Sequence, residues 1–205
     1  MDLKDKIAKL TQFPWKSRVM NYQSYYLNGE EVPGSRNTME RMELMKIPLD
    51  MFGMSVLDLG CNLGEIANEC YRIGALPVMG LDYEKDYIEC AKELAIQNKY
   101  NINYVQTDLT NVKESIDIIN SFFGEKPIDI IFALSLYKHI KGIMFEVLDG
   151  LNFVQCVVES NNSPQGLQTP HVIEIIKHIE DRKWEWEHIG TDITRSPRII
   201  FKVTK

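Results

Sequence analysis

From residue 54 onward, short apolar runs alternate with helical patterns of ten or more residues. Five of these runs have the length of buried strands, namely Ser55–Leu59, Pro77–Leu81, Ile102–Gln106, Ile128–Leu134 and Phe153–Glu159. A strand, a helix and a further strand form a βαβ unit, and repeated units build a parallel sheet with helices on both faces. The sequence therefore predicts an α/β fold around a buried, mostly parallel sheet.

The pattern changes after a helix predicted near Gln168–Arg182. Two strand-like runs, Lys183–Ile189 and Ser196–Val203, then follow each other with only a polar turn between them. Strands without an intervening helix pair antiparallel. The full prediction for residues 53–205 is a three-layer, seven-stranded mixed sheet whose last strand is antiparallel.

Residues 1–52 lack this alternation and are predicted to form an N-terminal cap or lid. A short amphipathic helix at the start of the chain is expected to end at Pro14. The pair Asn28-Gly29 favours a type I′ hairpin turn, because both of its central residues need positive φ. A further helix is expected from about Asn37, which begins a capping-box pattern.

Composition and charge exclude several classes of protein. Lys and Arg total 23 against 29 for Asp and Glu, a formal charge of −6, so no global basic field attracts nucleic acid. The charged N-terminus and the absence of a long apolar run argue against secretion and against a membrane span. The four cysteines have neither Cys-x-x-Cys nor zinc-site spacing, which favours reduced thiols, no metal site and a cytoplasmic location.

The most informative stretch joins the first predicted strand to a helix through a short glycine-containing loop. Its candidate cofactor-binding residues are Asp58, Gly60, Cys61, Asn62 and Gly64. Such a loop at the carboxyl end of a strand is the usual cofactor site of an α/β sheet. The glycines are out of register with the dinucleotide pattern G-x-G-x-x-G, and a carboxylate at Glu65 would oppose a pyrophosphate. A ligand with a sulfonium, an ammonium and a single carboxylate fits the loop better.

The run Asp58-Leu-Gly-Cys-Asn-Leu-Gly resembles motif I of the class I, Rossmann-like S-adenosylmethionine-dependent methyltransferases. The resemblance covers roughly residues 54–205 and implies a Rossmann-like fold, S-adenosylmethionine as the cofactor and methyl transfer as the reaction. The sequence departs from the family at Asn62, where the family has its middle glycine. Asparagine is the residue other than glycine that best tolerates left-handed backbone, so we expect the loop to keep its shape.

Three later landmarks of that family follow in order. Asp82 ends the second predicted strand, where an acidic side chain can accept hydrogen bonds from both ribose hydroxyls. In the family, the position of Tyr83 lies along the adenine. Asp108 and Leu109 resemble the adenine-binding element, and Leu134 lies at the end of the motif that borders both cofactor and substrate.

The methyl acceptor should lie at the carboxyl ends of the fourth and fifth predicted strands. Displacement at a sulfonium has a good leaving group, so a general base is needed only when the acceptor arrives protonated. Tyr137 and His139 follow the fourth strand and are the catalytic candidates. His139 could take a proton near neutral pH, and the alternative is a role in packing or in orienting the loop. Glu159 and Asn161 follow the fifth strand, as acceptor-binding groups or as an ordinary polar loop.

The cap adds substrate-binding candidates in Tyr22, Tyr25 and Arg36. One interpretation is an aromatic cover over the sheet. The other is a lid in which a tyrosine contacts cofactor or acceptor and Arg36 meets a carboxylate or phosphate. A Tyr-rich hairpin, a Pro-Gly turn and an arginine before motif I faintly resemble the branch that modifies the wobble uridine of tRNA, and Trp15 and Arg18 add to this likeness.

Together these patterns predict a cytoplasmic S-adenosylmethionine-dependent methyltransferase that acts on a small molecule. Two alternatives stay open: a tRNA-modifying methyltransferase of the wobble-uridine type, and a cofactor-binding module without catalysis.

Overall fold

The structure is a computed structural model that describes residues 2–11 and 21–205. Its strands are β1 (Tyr25–Leu27), β2 (Glu30–Val32), β3 (Val56–Leu59), β4 (Val78–Asp82), β5 (Asn103–Gln106), β6 (Ile128–Leu134), β7 (Phe153–Glu159), β8 (Glu185–Asp192) and β9 (Arg198–Thr204). Its helices are α1 (Leu3–Thr11), α2 (Thr38–Leu44), α3 (Glu65–Arg72), α4 (Lys85–Asn98), α5 (Val112–Phe123), α6 (Tyr137–Ile140), α7 (Ile143–Asp149) and α8 (Pro170–Asp181), with a 3₁₀ turn at Gly166–Gln168. Pro14, Trp15 and Arg18, which entered the sequence-based predictions, lie outside the described residues.

The central feature of the fold is a mixed sheet with the strand order β5-β4-β3-β6-β7-β9-β8. Strands β3 to β7 pair in parallel, and β9 pairs antiparallel with both β7 and β8. The predicted fold, a seven-stranded mixed sheet with an antiparallel last strand, is confirmed. Strand β3 lies between β4 and β6, so the strand order reverses beside it. Ligands of open α/β sheets bind at the carboxyl ends of the strands at such a switch point.

Two apolar clusters cover the two faces of this sheet and make the fold three layers thick. Leu57 and Leu59 belong to one cluster, with side chains of α5, α7 and α8. Val56 belongs to the other, with side chains of α3 and α4. The split follows from the alternation of side chains along a strand. Each fully buried leucine or isoleucine in these clusters contributes roughly 1.5–3 kcal/mol to folding.

Helix α1 and strand β1 of the N-terminal segment pack on α4, whereas α2 packs on α3 and β8. Ile7 of α1 is buried together with Leu94 of α4. The hairpin β1–β2 turns through Asn28 and Gly29 with φ values of 54° and 85°, as the predicted type I′ turn requires. Helix α2 begins after Asn37, whose side chain accepts a hydrogen bond from the amide three residues on. The predicted cap helix and hairpin are therefore present.

Three further features bear on the class of protein. All four cysteines are buried free thiols. In the described ranges, no three histidine, cysteine, aspartate or glutamate side chains come together where they could hold a metal ion. No helix that the structure describes is both long and apolar enough to cross a membrane.

Candidate active site

The loop between β3 and α3 is a tight turn in left-handed backbone. Gly60, Asn62 and Gly64 have φ values of 73°, 52° and 76°. The side chain of Asn62 accepts a hydrogen bond from the next amide, at 2.8 Å. Asparagine thus holds the left-handed conformation expected of it. Gly64 has a second constraint, because a Cβ there would lie 2.3 Å from the hydroxyl of Tyr104.

This loop borders a cavity of about 590 Å³ at the carboxyl ends of β3, β4, β5 and β6. Nine of the predicted cofactor-binding residues line it: Asp58, Gly60, Cys61, Asn62, Asp82, Tyr83, Asp108, Leu109 and Leu134. Gly64 is not in the lining and instead allows α3 to approach Tyr104 on β5. Small-molecule sites commonly measure about 300–1,000 Å³. The cavity is therefore large enough for a nucleoside cofactor.

The carboxylate of Asp82 is fixed at the end of β4 by backbone amides. Its Oδ2 accepts from the amide of Asn62 at 2.9 Å, and its Oδ1 accepts from the amide of Glu84 at 3.0 Å. Burial raises the pKa of Asp82, and these amide donors limit the rise. Each carboxylate oxygen can accept a further hydrogen bond, so a vicinal diol fits this group.

Asp58 and Glu65 are two more buried acids beside the loop. Burial raises the pKa of Asp58 to about 7, and the charge of Arg41 offsets only part of this effect. Burial likewise raises the pKa of Glu65 to about 8. A cationic ligand would favour the charged form of both groups. This acid pair therefore fits the sulfonium and ammonium of the cofactor that the sequence predicted.

The rim beyond β5 is more open. Asp108 is exposed, and its Oδ1 accepts from the amide and the hydroxyl of Thr110 at 2.9 Å and 2.8 Å, which lowers its pKa. Tyr83 is 66% exposed, whereas Leu109 is buried. The predicted adenine-contacting side chains thus lie at the mouth of the cavity.

The two catalytic candidates separate in the structure. His139 is exposed and lines the cavity. Tyr137 is 2% exposed and does not line it. Its hydroxyl donates to Glu174 at 3.0 Å, and its ring packs edge-on against Phe145. Burial, together with this hydrogen bond, raises the pKa of Tyr137 to about 12. The sequence predicted Tyr137 at the acceptor, but α6 directs its ring into the core in the structure.

Glu159, at the end of β7, is fully buried and forms hydrogen-bonded ion pairs with two arginines, while Nη1 of Arg36 lies 3.9 Å from its Oε1. Its Oε2 lies 2.8 Å from Nη2 of Arg41, and its Oε1 lies 2.9 Å from Nη1 of Arg198. The hydroxyl of Ser135 also donates to Oε1, at 2.7 Å. Burial alone would raise the pKa of Glu159, but the two guanidinium charges and these hydrogen bonds hold it at about 2. Glu159 thus holds the two arginines in place and does not itself line the cavity.

The three cap candidates take different positions. Tyr22 lines the cavity, and its hydroxyl accepts from Arg198 at 3.3 Å. Arg36 is buried outside the lining and meets a carboxylate of the chain itself, with Nη1 at 2.7 Å from Asp192. Tyr25 is buried with α1 and α4, and burial raises its pKa to about 12. Tyr22 is therefore the cap candidate that borders the cavity.

Asn161 positions the loop that leads into α6, the helix that carries His139. Its Nδ2 donates to the carbonyl of Ser135 at 2.9 Å, and its Oδ1 accepts from the amide of Lys138 at 2.9 Å. Both bonds tie the β6–α6 loop to the end of β7.

Several cavity residues were not among the sequence-based candidates. Those on the side of β6 toward β7 and β9, or from the N-terminal cap, include Gln23, Arg41, Ser135 and Arg198. Arg198 begins the strand β9, 39 residues after Glu159. The one sequence signal for it is the predicted antiparallel pairing, which brings the first residue of β9 to the carboxyl ends of the parallel strands.

Comparisons with known proteins agree with this arrangement. A family model described as a methyltransferase domain matches residues 51–193. The ubiquinone biosynthesis O-methyltransferase of Vibrio vulnificus is 26% identical over 176 residues, which cover 75% of this chain and 74% of that protein. Its counterpart in Haemophilus ducreyi is 29% identical over 90 residues, which cover 44% of this chain but 36% of that protein.

Among solved structures, the bifunctional kinase-methyltransferase WbdD has the same fold. The TM-score is 0.68 at 18% identity, over 99% of this chain and 46% of that one. The chain thus spans about half the length of WbdD and about a third of the Haemophilus ducreyi protein.

Proposed function

Because this chain belongs to the methyltransferase domain family, we propose that it transfers the methyl group of S-adenosylmethionine to a small-molecule acceptor. The match to a methyltransferase domain confirms the methyltransferase family that motif I predicted and supports S-adenosylmethionine as the cofactor. The observation that carries the proposal is the cavity, which brings Asp58, Asp82 and Asp108 together at the ends of three adjacent strands. The names of the Vibrio vulnificus and Haemophilus ducreyi relatives support a small-molecule acceptor.

The lining offers partners for the ribose, the cationic methionine part and the adenine of the cofactor. Asp82 would accept hydrogen bonds from the ribose hydroxyls, and Asp58 would lie toward the cationic methionine part. Asp108 and the amide of Leu109 would contact the adenine. When bound, S-adenosylmethionine supplies a methyl group on a sulfonium, whose thioether is a good leaving group.

The remaining residues position the acceptor and handle its proton. Leu134 and Leu136 line the cavity next to Ser135 and exclude water from it. His139 on the rim would accept a proton from an acceptor hydroxyl. Tyr22 and other residues of the N-terminal cap would close the acceptor side. The four buried free thiols support a reducing, cytoplasmic location.

Isothermal titration with S-adenosylhomocysteine tests the cofactor assignment. Wild-type protein should bind it in the micromolar range. Asp82→Ala removes two hydrogen bonds to a charged acceptor and should weaken binding about 100-fold. Asp181→Ala removes an exposed carboxylate at the end of α8 and should leave affinity unchanged. Retained affinity in Asp82→Ala would contradict the ribose assignment.

Methyl transfer itself is tested with labelled S-adenosylmethionine. Label should enter the small-molecule fraction of an extract from the source cells. Label in tRNA, with association that weakens as salt rises, would instead favour a tRNA-modifying enzyme. Cofactor binding without any labelled product would favour a module without catalysis.

A further inference from the structure

The end of the cavity beyond β6 holds more positive than negative charge. The guanidinium groups of Arg36, Arg41 and Arg198, here called the arginine cluster, share two carboxylates. Arg36 pairs with Asp192 at 2.7 Å, while Arg41 and Arg198 pair with Glu159 at 2.8 Å and 2.9 Å. Three positive charges face two negative ones, so these five groups carry a net positive charge. Burial makes such an excess costly without a further counter-charge.

This end also has hydrogen-bond donors without acceptors. Within the described ranges, Nε2 of Gln23, Nε of Arg41 and Nε of Arg198 are buried and have no hydrogen-bond partner. All three residues line the cavity, and Gln23 and Arg41 are 3% and 5% exposed. Buried donors are almost always satisfied in folded proteins. A ligand group that fits this end is therefore a hydrogen-bond acceptor, and preferably a charged one.

Within the arginine cluster, Arg41 is near enough for its charge to act on Asp58, whereas Arg198 lies apart from the residues assigned above to the cofactor. Asp58, Asp82 and Asp108 belong to β3, to β4 and to the loop after β5, on one side of β6 in the sheet. Arg198 begins β9, on the other side of β6 and separated from it by β7. Ser135, at the end of β6, contacts both Arg198 and Glu159. The cavity thus has an acidic end at β3–β5 and a basic end at β7–β9.

We propose that Arg198, Arg41 and Gln23 bind an anionic oxygen group, a carboxylate or a phosphate, of the methyl acceptor. The inference rests on the methyl transfer proposed above and narrows its substrate to anionic small molecules. Planar guanidinium groups bind carboxylate and phosphate oxygens through several charge-assisted hydrogen bonds. An anion at this end satisfies the unpaired donors and neutralises the excess charge. It also orients the acceptor, because the acidic end of the cavity repels it.

Isothermal titration of protein saturated with S-adenosylhomocysteine tests this site with three small aromatic probes. Benzoate carries a carboxylate, phenyl phosphate carries a phosphate, and benzamide is a neutral counterpart of benzoate. At least one anion should bind saturably, and benzamide should bind at least about 10-fold more weakly. The preferred anion distinguishes a carboxylate acceptor from a phosphate acceptor.

Two substitutions at Arg198 assign the binding to the arginine cluster. Arg198→Gln should weaken binding of the preferred anion at least about 10-fold and change affinity for S-adenosylhomocysteine less than about twofold. Arg198→Lys keeps a positive charge beside Glu159 and replaces Arg198→Gln in the titration if that variant does not fold. It should weaken anion binding about threefold or more, because lysine lacks the guanidinium fork. Arg182→Gln, at an arginine paired with Asp149 outside the cavity lining, should leave both affinities unchanged.

Three results would overturn the inference. In the first, neither anion binds saturably. In the second, benzamide binds as tightly as the anions. In the third, Arg198→Gln loses as much affinity for S-adenosylhomocysteine as for the anion. The last would assign the arginine cluster to the cofactor's own carboxylate. Wild-type protein that fails to bind S-adenosylhomocysteine would instead contradict the proposed function.

Discussion

The two ends of the cavity hold buried carboxylates in opposite electrostatic states. At the acidic end, burial raises the pKa of Asp58 to about 7 and of Glu65 to about 8. At the basic end, two arginines hold the pKa of the equally buried Glu159 at about 2. Burial is common to all three groups, so the counter-charges decide the outcome. Arg41 offsets only part of the effect of burial on Asp58 and Glu65, so a sulfonium ligand would favour their charged forms further. An anionic ligand would balance the excess of arginine at the basic end.

Matched glutamate substitutions should give the largest difference in stability between the two ends of the cavity. Glu159→Gln leaves Arg41 and Arg198 buried without their shared counter-charge, and should lower the free energy of unfolding by about 3–5 kcal/mol. Glu65→Gln should change it by less than about 1 kcal/mol at pH 7, because a raised pKa already favours the neutral form of Glu65. Urea unfolding of each variant measures both effects.

The exposed Glu146 on α7 provides the control for these variants. Glu146→Gln should stay within about 0.5 kcal/mol of wild type. A loss of less than about 1 kcal/mol in Glu159→Gln would show that the ion pairs of the basic end do not stabilise the fold.

The pH dependence of stability should also differ between the two ends. The folded-state pKa of Glu65, about 8, lies above its ordinary value of 4.5, so the folded protein binds the proton more tightly than the unfolded chain. The stability it contributes is present below pH 4.5 and is lost as pH rises toward 8. Glu159 has the opposite sign. Its contribution is present above pH 4.5 and is lost as pH falls toward 2.

Unfolding curves of wild type and Glu65→Gln between pH 6 and pH 9 test this sign. Over that range, wild type should lose about 3 kcal/mol relative to the variant, from 1.36 kcal/mol per pH unit over the two units between pH 6 and the folded-state pKa. Parallel pH profiles for the two proteins would show that Glu65 titrates near its ordinary pKa when folded.

Substitution of Asn62 should have the smallest effect, since the acidic end is shaped by backbone. Asn62→Gly keeps the left-handed conformation open and should alter stability by less than about 1 kcal/mol. Asn62→Ala should lose about 1 kcal/mol, because a Cβ without a local hydrogen bond disfavours φ near 52°. Thermal unfolding of the two variants checks the order, and greater stability of Asn62→Ala would contradict it.

The same contrast explains what the sequence could predict. The acidic end is built from one strand–loop–helix run, so Asp58, Gly60 and Asn62 were identified from local pattern. Asp82 and Asp108 followed, because each comes at or just after the carboxyl end of its own strand. Strand β6 has the predicted bounds, since its apolar run ends where the polar loop begins.

The basic end could not be predicted in this way, because its residues meet only through the tertiary fold. Arg41 and Glu159 are 118 positions apart, and Arg198 arrives through the antiparallel β9. Tyr137 was predicted at the acceptor because it follows the fourth strand, and Tyr25 because it belongs to the aromatic cap. Helix phase and hairpin packing instead turn both rings into the core. Arg36 was predicted as a substrate-binding residue that meets a carboxylate or phosphate, whereas in the structure it pairs with Asp192 of the chain itself.

A crystal structure with S-adenosylhomocysteine and the preferred anion, benzoate or phenyl phosphate, tests the two-ended cavity most directly. The ribose diol should lie on the carboxylate of Asp82, and the anion should accept a hydrogen bond from Nε of Arg198. Adenosine bound away from Asp82, or the homocysteine carboxylate bound to Arg198, would contradict the assignment of the acidic end to the cofactor and the basic end to the acceptor.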